Sequence, residues 1–205
     1  MPITIKSERE IELMTEAGRI LGIVHKELEK ALKPGMSTLD IDALGEEVIR
    51  SYGCEPSFLN YNGYPASICV SVNDEIVHGI PSAKHLIKEG DIVSLDAGVI
   101  YKGYHSDAAR THAVGEIRPD LQKLIDVTRE SFFEGIKFAK EGNHLYDISR
   151  AIGDYAESFG YGVVRELCGH GIGTSLHESP EIPNFQMRRR ANESGQIIIA
   201  LIPWK

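Results

Sequence analysis

The sequence has few cysteines and no long apolar run. Its three cysteines, Cys54, Cys69 and Cys168, are widely spaced and form no Cys-x-x-Cys pair, which argues against a cysteine-based zinc site and against a secreted disulfide framework. No apolar stretch reaches the roughly 18 residues that a membrane span needs, and the amino terminus lacks the apolar core of a signal peptide. We therefore expect a cytoplasmic protein with no membrane partner.

The chain also lacks a surplus of basic residues. It has 22 lysines and arginines against 30 aspartates and glutamates, a net charge of −8, which argues against nucleic acid as the main partner. The compact basic run Arg188-Arg189-Arg190 is interpreted as a solvated turn. With 205 residues, 42% apolar and 25% charged, the composition is typical of one globular domain with a sizeable core. We expect a monomer with halves near residues 1–115 and 116–205 and a divergent tail at 186–205.

Hydrophobic periodicity and end signals predict both helices and strands. Ser7 and Glu10 form a capping-box pattern, and a helical apolar period then continues until Lys33-Pro34-Gly35 stops it. Similar patterns predict further helices at residues 38–52, 119–140 and 145–159. Short β-rich runs predict strands at residues 67–72, 76–78, 91–99, 104–114 and 162–167.

An internal repeat relates the two halves of the chain. Residues 33–53 align with residues 140–160 at a constant offset of 107 and agree at six of the 21 positions. Chance agreement between two helices with similar caps is the alternative. A duplicated unit of two helices followed by strands predicts an α+β fold whose two halves share one sheet, covered on one side by helices.

Two aspartates flank a predicted hairpin turn at Tyr101-Lys102-Gly103. That turn places Asp96 and Asp107 within about one residue of directly opposite each other, where paired side chains lie roughly 5 Å apart. Two carboxylates at that distance repel unless a cation lies between them, so the pair indicates a site for one or two metal ions. The alternative is a bulge or a slipped register that turns one aspartate outward to water.

A glycine-rich stretch with two histidines forms a second cluster. Residues 169–178 read GHGIGTSLHE, and three glycines so close together argue against a helix. His170 is suited to bind a metal through a neutral imidazole, and His177 is suited to donate a hydrogen bond to a developing oxyanion. A structural role for either histidine is the alternative.

A third group of residues is suited to bind substrate. His78 precedes a glycine and is a candidate to orient a substrate amide, while His105 and His112 are interpreted as surface or supporting residues. The residues that follow are candidates to line a small apolar pocket, with ordinary packing as the alternative: Phe58, Tyr61, Tyr64 and Cys69.

Together, the segments at residues 61–65, 73–81, 95–111 and 168–185 resemble type I methionine aminopeptidase, a pita-bread (creatinase-like) metallopeptidase. The resemblance covers residues 5–185. It implies removal of the initiator methionine from nascent polypeptides with a small second residue, near the ribosome, with two divalent ions (Co, Mn, Fe or Zn). In that family pattern Asp96 would chelate one metal, Asp107 would bridge both, and His170 would bind the other. The catalytic pair in contact with substrate would be His78 and His177. The methionine pocket would be lined by Phe58, Tyr61, Tyr64, Cys69 and Leu176.

The carboxy-terminal residues depart from that family pattern. The family takes two more metal ligands from downstream glutamates, but after Glu181 the only acidic residue is Glu193. Residues 195–200 resemble residues 90–95, which makes Leu201 the counterpart of Asp96. We therefore expect an incomplete second metal site, incomplete carboxy-terminal strands and impaired activity, as in a truncated or frame-shifted product. The alternatives are an inactive homologue that binds only peptides or a partner, and a proline-peptidase-like relative.

Overall fold

The computed structural model describes residues 3–185, which form two compact units. The first unit comprises residues 6–121 and 172–176, and the second comprises residues 3–5, 122–171 and 177–185. The predictions for Arg188-Arg189-Arg190, Glu193 and Leu201 lie outside the described residues. No helix within residues 3–185 is long and apolar enough to cross a membrane.

The first unit opens with the helix α1 (Glu8–Ala31), which starts at the predicted capping box. The Ser7 amide donates to Glu10 Oε2 at 2.7 Å, and the Glu10 amide donates to Ser7 Oγ at 3.4 Å. Two otherwise unpaired helix-end donors are thereby satisfied. The buried face of α1 recurs at helical spacing and includes Ile20, Val24 and Leu28.

The helix α2 (Thr38–Ser51) begins in the same way. Asp40 Oδ2 accepts hydrogen bonds from the amide and the hydroxyl of Ser37, at 2.9 and 2.7 Å. The helix ends before Gly53, which has a φ of 67°. Because only glycine adopts that left-handed conformation without steric cost, Gly53 is a physical stop signal.

Four antiparallel strands complete the first unit. They are β1 (Glu55–Pro56), β2 (Ile68–Val72), β3 (Ile92–Tyr101) and β4 (Tyr104–Ala113), and β3 pairs with all three others. Alternate residues of β3, among them Leu95, Ala97 and Val99, pack in one core with apolar residues of α1 and α2. The intervening residues of β3 therefore point to the sheet face away from these helices. This second face carries the candidate site.

The second unit contains two helices and a two-stranded ribbon. The helices are α3 (Pro119–Ile136), which begins just before the boundary between the units, and α4 (Leu145–Ser158). A Cβ on Gly135 would lie 2.5 Å from Ile152 Cγ1, so the absence of a side chain at Gly135 permits the two helices to approach closely. The strands β5 (Cys168–Gly171) and β6 (Glu178–Pro183) pair antiparallel.

Two predicted strands are wrong. Residues 76–78 are irregular because the chain turns sharply there, with His78 at a φ of 59°. Residues 162–167 have β-branched residues but, among the described residues, no ladder partner, and β5 starts only at Cys168, where Pro183 pairs with it. Residues 195–200, which resemble the start of β3, lie outside the described part of the chain, so the single shared sheet and the single domain stay predictions.

Candidate functional site

Asp96 and Asp107 lie on the same face of the first unit's sheet. Lys102 and Gly103, with φ values of 50° and 85°, form a two-residue turn, so Tyr101 pairs with Tyr104. Asp107 is therefore opposite Gly98, two residues along β3 from Asp96. The prediction of near-direct opposition is wrong because the turn is one residue shorter than assumed. The aspartates are therefore diagonal neighbours. The Cα atoms of such a pair usually lie about 7–8 Å apart.

This arrangement suits a divalent cation. Both carboxylates are half-buried on adjacent strands, and carboxylate oxygens are the donors that hard divalent ions prefer. A cation between them also neutralises the repulsion of two negative charges in a partly desolvated place. Within residues 3–185, no three side chains of histidine, cysteine, aspartate or glutamate come close enough to form a metal site. The two aspartates thus have suitable donor atoms for a metal and lie on one face of the sheet. They would bind it together with further ligands.

An apolar cluster lies beside Asp96. Cys69 of β2 pairs directly with Asp96 across the sheet and shares its face. Phe58, Cys69 and Leu176 are buried against one another, and Tyr64 packs on them. Four of the five residues predicted for a methionine pocket therefore meet in the first unit. The fifth, Tyr61, lies in a short 3₁₀ turn (Tyr61–Gly63), is 36% exposed and is outside this cluster.

The thiol and the phenol of this cluster stay uncharged at neutral pH. Burial raises the pKa of the Cys69 thiol to about 11, and the nearby negative charges of Asp96 and Asp107 act in the same direction. Burial likewise raises the pKa of the Tyr64 phenol well above its usual range. A neutral thiol and a neutral phenol suit a pocket for an uncharged, polarizable side chain.

Sequence patterns did not mark Gly98 and Ser57, which support this cluster, whereas His105 was interpreted as a surface or supporting residue. Gly98 lies between Asp96 and Ile100 on the site face, and a Cβ there would lie 2.7 Å from Ser57 Cβ, so the pocket's Phe58 segment packs directly on the sheet. His105 Nδ1 lies 3.0 Å from Ser57 Oγ, and the His105 amide donates to Gly173 O at 2.8 Å. His105 thus supports both the Phe58 segment and the Leu176 segment. The side chains of β4 alternate strictly between the two sheet faces, so His105 lies on the face of Asp107. This alternation is the sequence signal that could have placed His105 at the site.

His112 and His78 have different surroundings. His112 lies on the helix-covered face of β4, with Nδ1 3.8 Å from Glu29 Oε1, and burial lowers its pKa. His78 is exposed, in a left-handed turn next to the buried Gly79. Gly79 is tied to β2, since its carbonyl accepts from the Val70 amide at 3.0 Å. His78 thus projects from a turn that is anchored next to the pocket strand.

His170 and His177 lie together in the second unit. Their ring centroids are 4.0 Å apart, with an interplanar angle of 38°. His170 Nδ1 lies 3.0 Å from Gly171 O. With the proton on Nδ1 donated to that carbonyl, the lone pair of this tautomer is on Nε2, as in many metal-binding histidines. Because the aspartates belong to the first unit, the convergence of Asp96, Asp107 and His170 on one cavity stays a prediction.

Comparisons with known proteins identify the family of this chain. Residues 12–199 match the model of metallopeptidase family M24. The methionine aminopeptidase of Clostridium acetobutylicum is 55% identical over 183 residues, which cover 89% of this chain and 73% of the relative. Methionine aminopeptidase 1 of Bacillus subtilis is 49% identical with the same coverage.

Solved structures give the same result. A methionine aminopeptidase from Thermotoga maritima superposes with a TM-score of 0.90 at 40% identity, covering 96% of this chain and 78% of that one. A Xaa-Pro dipeptidase from Bacillus anthracis gives 0.76 at 32% identity and covers 88% of this chain and 49% of that one. The predicted resemblance, the α+β pita-bread fold, the peptidase class and the use of divalent metal are confirmed. The chain belongs to metallopeptidase family M24.

Proposed function

We propose that this chain removes the amino-terminal methionine from polypeptides whose second residue is small. The observation that carries the proposal is the apolar cluster of Phe58, Tyr64, Cys69 and Leu176, which lies beside Asp96 on the sheet. A peptidase of this family needs a recognition pocket next to its carboxylates. A small, apolar, sulfur-bearing pocket favours an unbranched thioether side chain over a charged or polar one.

The chain's own residues hold and orient the substrate. The methionine side chain enters the apolar cluster, displaces water from it and fixes the scissile bond relative to Asp96 and Asp107. The exposed His78 and His177 are proposed to contact the peptide, His78 at a substrate amide and His177 at the oxygen that gains negative charge. His170 keeps its Nδ1 proton on Gly171 O and offers Nε2 as a ligand.

Metal binding is assigned to the three residues predicted for it. Asp96, Asp107 and His170 would hold two divalent ions, from the set Co, Mn, Fe or Zn. When bound, these ions polarise the scissile carbonyl and activate water for attack. The two carboxylates contribute the negative charge that balances the ions, and that balance explains why aspartates on adjacent strands are placed so close together.

The proposed setting follows from the substrate. Nascent chains emerge from the ribosome with their initiator methionine, so the chain is proposed to act in the cytoplasm on nascent amino termini near the ribosome, as a monomer. Neither a membrane nor a nucleic acid is needed for this reaction.

The test is release of free methionine from short peptides by the purified chain, with each metal added in turn. We expect release from Met-Ala-Ser but not from Leu-Ala-Ser or Met-Trp-Ser. Asp107→Asn should abolish release, whereas Asp74→Asn, an equal change of charge at an exposed turn, should not. Equal cleavage of the leucine peptide, or full activity of Asp107→Asn, would contradict the proposal.

A further inference from the structure

One side chain connects the apolar pocket to the turn that carries His78. The Tyr64 ring packs on Phe58, Cys69 and Leu176, and its hydroxyl lies at the other end of the side chain. That hydroxyl donates to Gly79 O at 2.9 Å and also lies 3.2 Å from Ile68 O. Because the phenol keeps its proton at neutral pH, the hydroxyl remains a donor to the peptide group next to His78.

The turn at His78 needs such support. His78 has a φ of 59°, a left-handed conformation that is unfavourable for a residue with a Cβ and that neighbouring groups must hold in place. The flanking side chains do not impose it, since Val77 is 43% exposed and Ile80 is 63% exposed. The restraint therefore comes through the buried Gly79.

Gly79 is held from three directions. Its carbonyl accepts from the Val70 amide and from the Tyr64 hydroxyl, so both oxygen lone pairs are used. Its amide donates to Ser71 Oγ at 3.0 Å. A Cβ at this position would overlap the backbone carbonyl of Val70, so the turn lies directly against β2.

We propose that Tyr64 is a positioning residue whose hydroxyl, through the Gly79 carbonyl, holds His78 in the orientation in which it meets the substrate. The proposal rests on the proposed function for the role of His78. Tyr64 thereby has two separable parts: the ring forms the wall of the pocket, and the hydroxyl fixes the histidine.

The backbone claim is tested by NMR on the full 205-residue chain without substrate. Residual dipolar couplings should give a left-handed φ at His78 in the parent. In Tyr64→Phe, which keeps the ring, and in Ser71→Ala, which removes the other side-chain anchor, they should average over several conformations. Tyr104→Phe is the matched control, since it loses a hydroxyl bond to Glu10 at 3.0 Å on another part of the unit. An unchanged φ at His78 in Tyr64→Phe would overturn the proposal whether or not the chain is active.

The functional claim is tested by a double-mutant cycle on methionine release. Tyr64→Phe should lower kcat about 10-fold and leave KM within about twofold, because the ring that contacts the methionine side chain remains. In a His78→Ala background the same change should have no further effect on kcat. A loss that persists without His78 would assign Tyr64 a general structural role and overturn the proposal. A parent that turns over no peptide with any metal would refute the proposed function, and the NMR result then decides the positioning claim alone.

Discussion

The two repeated helices, α2 and α4, share their boundaries but not their chemistry. Each has 14 residues, and both ends are offset by 107, from Thr38 to Leu145 and from Ser51 to Ser158. Both helices follow a glycine with a positive φ, 89° at Gly35 and 88° at Gly142. A repeat of this kind preserves the backbone because caps and glycines act locally, whereas side-chain contacts are free to diverge.

The divergence is clearest at Asp42 and its counterpart Ser149. Both are buried, but Asp42 Oδ1 accepts the amides of Ser67 and Ile68, each at 2.8 Å, and so fixes the start of the pocket strand β2. Ser149 Oγ has no hydrogen-bond partner among the described residues. The first unit thus uses this helix position to hold a strand of the candidate site.

The largest expected effect on stability comes from substituting Asp42 rather than its counterpart Ser149. Asp42→Ala would leave two buried amides without an acceptor, and we expect a loss of about 2–4 kcal/mol in the free energy of unfolding. Ser149→Ala removes a hydroxyl that has no partner there, so a change within about 0.5 kcal/mol is expected. Urea titrations of both variants check this contrast, with Asp42→Asn as the control that keeps an acceptor oxygen. Equal losses at both positions would remove the contrast between the helices.

A pH effect distinguishes α1 from α3, the helix that corresponds to it when the offset of 107 is extended beyond the aligned residues 33–53. His25 is 1% exposed, and burial lowers its pKa to about 4. The hydrogen bond between Nε2 and Ala108 O, at 2.8 Å, acts in the opposite direction but is the smaller effect. The nearby Arg110 and His112 lower the pKa further. The residue 107 positions later is Phe132, which has no proton to take up.

The sign of this pH effect follows from proton uptake. Between pH 6.5 and about 4 the unfolded chain binds a proton at His25 that the folded chain does not, so the free energy of unfolding falls as pH falls. On the order of 2–3 kcal/mol should be lost over that window. His25→Gln keeps a donor for Ala108 O and should show a shallower loss than the parent in denaturant titrations at several pH values. Identical slopes would show that His25 does not titrate in this way.

Packing between the helices shows an exchange of large and small residues. In the first unit a Cβ on Gly45 would lie 2.4 Å from Ile68 Cγ1 of β2 and in ordinary contact, at 3.7 Å, with Leu28 Cδ2 of α1. In the second unit a Cβ on Gly135 would lie 2.5 Å from Ile152 Cγ1. Gly45 and Ile152 are repeat partners, and the same offset of 107, extended beyond the aligned residues, relates Leu28 to Gly135. Each helix pair thus joins one large and one small residue, with the order reversed.

This exchange predicts overpacking at Gly135. Gly135→Ala should cost about 1–2 kcal/mol, since the clash with Ile152 outweighs the gain in helix propensity. In an Ile152→Ala background the same change should become neutral or stabilising. Thermal unfolding of the four chains of this cycle measures the coupling, and additive effects would show that the two residues do not pack as described.

The smallest effect concerns the caps. Ser37→Ala removes a side chain that both accepts from the Asp40 amide, at 3.1 Å, and donates to the Asp40 carboxylate, so a loss of about 1 kcal/mol is expected. In α4 the His144 backbone amide makes the bond to Asp147 Oδ2 at 2.9 Å, which His144→Ala preserves, and a loss of at most a few tenths of a kcal/mol is expected. Denaturant midpoints of the two variants test this order.

Local signals explain what the sequence predicted well. The capping box at Ser7, the ends of α2 and α4 and the hairpin near Lys102 depend on neighbouring residues, so they can be inferred from short patterns. The strand register cannot be inferred from such short patterns, because one residue more or less in the turn shifts Asp107 relative to Asp96. The same holds for Asp42 and His105, whose partners are distant in sequence. Four pocket residues were predicted from the sequence itself and Leu176 through the family resemblance; except for Tyr61, these residues form one cluster.

The most direct measurement compares methionine release by residues 1–205 with release by a chimera. In the chimera, residues 1–185 are fused to the carboxy-terminal region of the Clostridium acetobutylicum relative, the region in which the family pattern places two glutamates. We expect the chimera to release methionine at least about 10²-fold faster than the 205-residue chain, because general acid–base catalysis typically contributes a factor of that size. The chimera should lose this activity in Asp96→Asn and in Asp107→Asn but not in Asp74→Asn. Undiminished release by a chimera that lacks both Asp96 and Asp107 would contradict a site built on this sheet face, and equal release by the two parent chains would show that the glutamates are not needed.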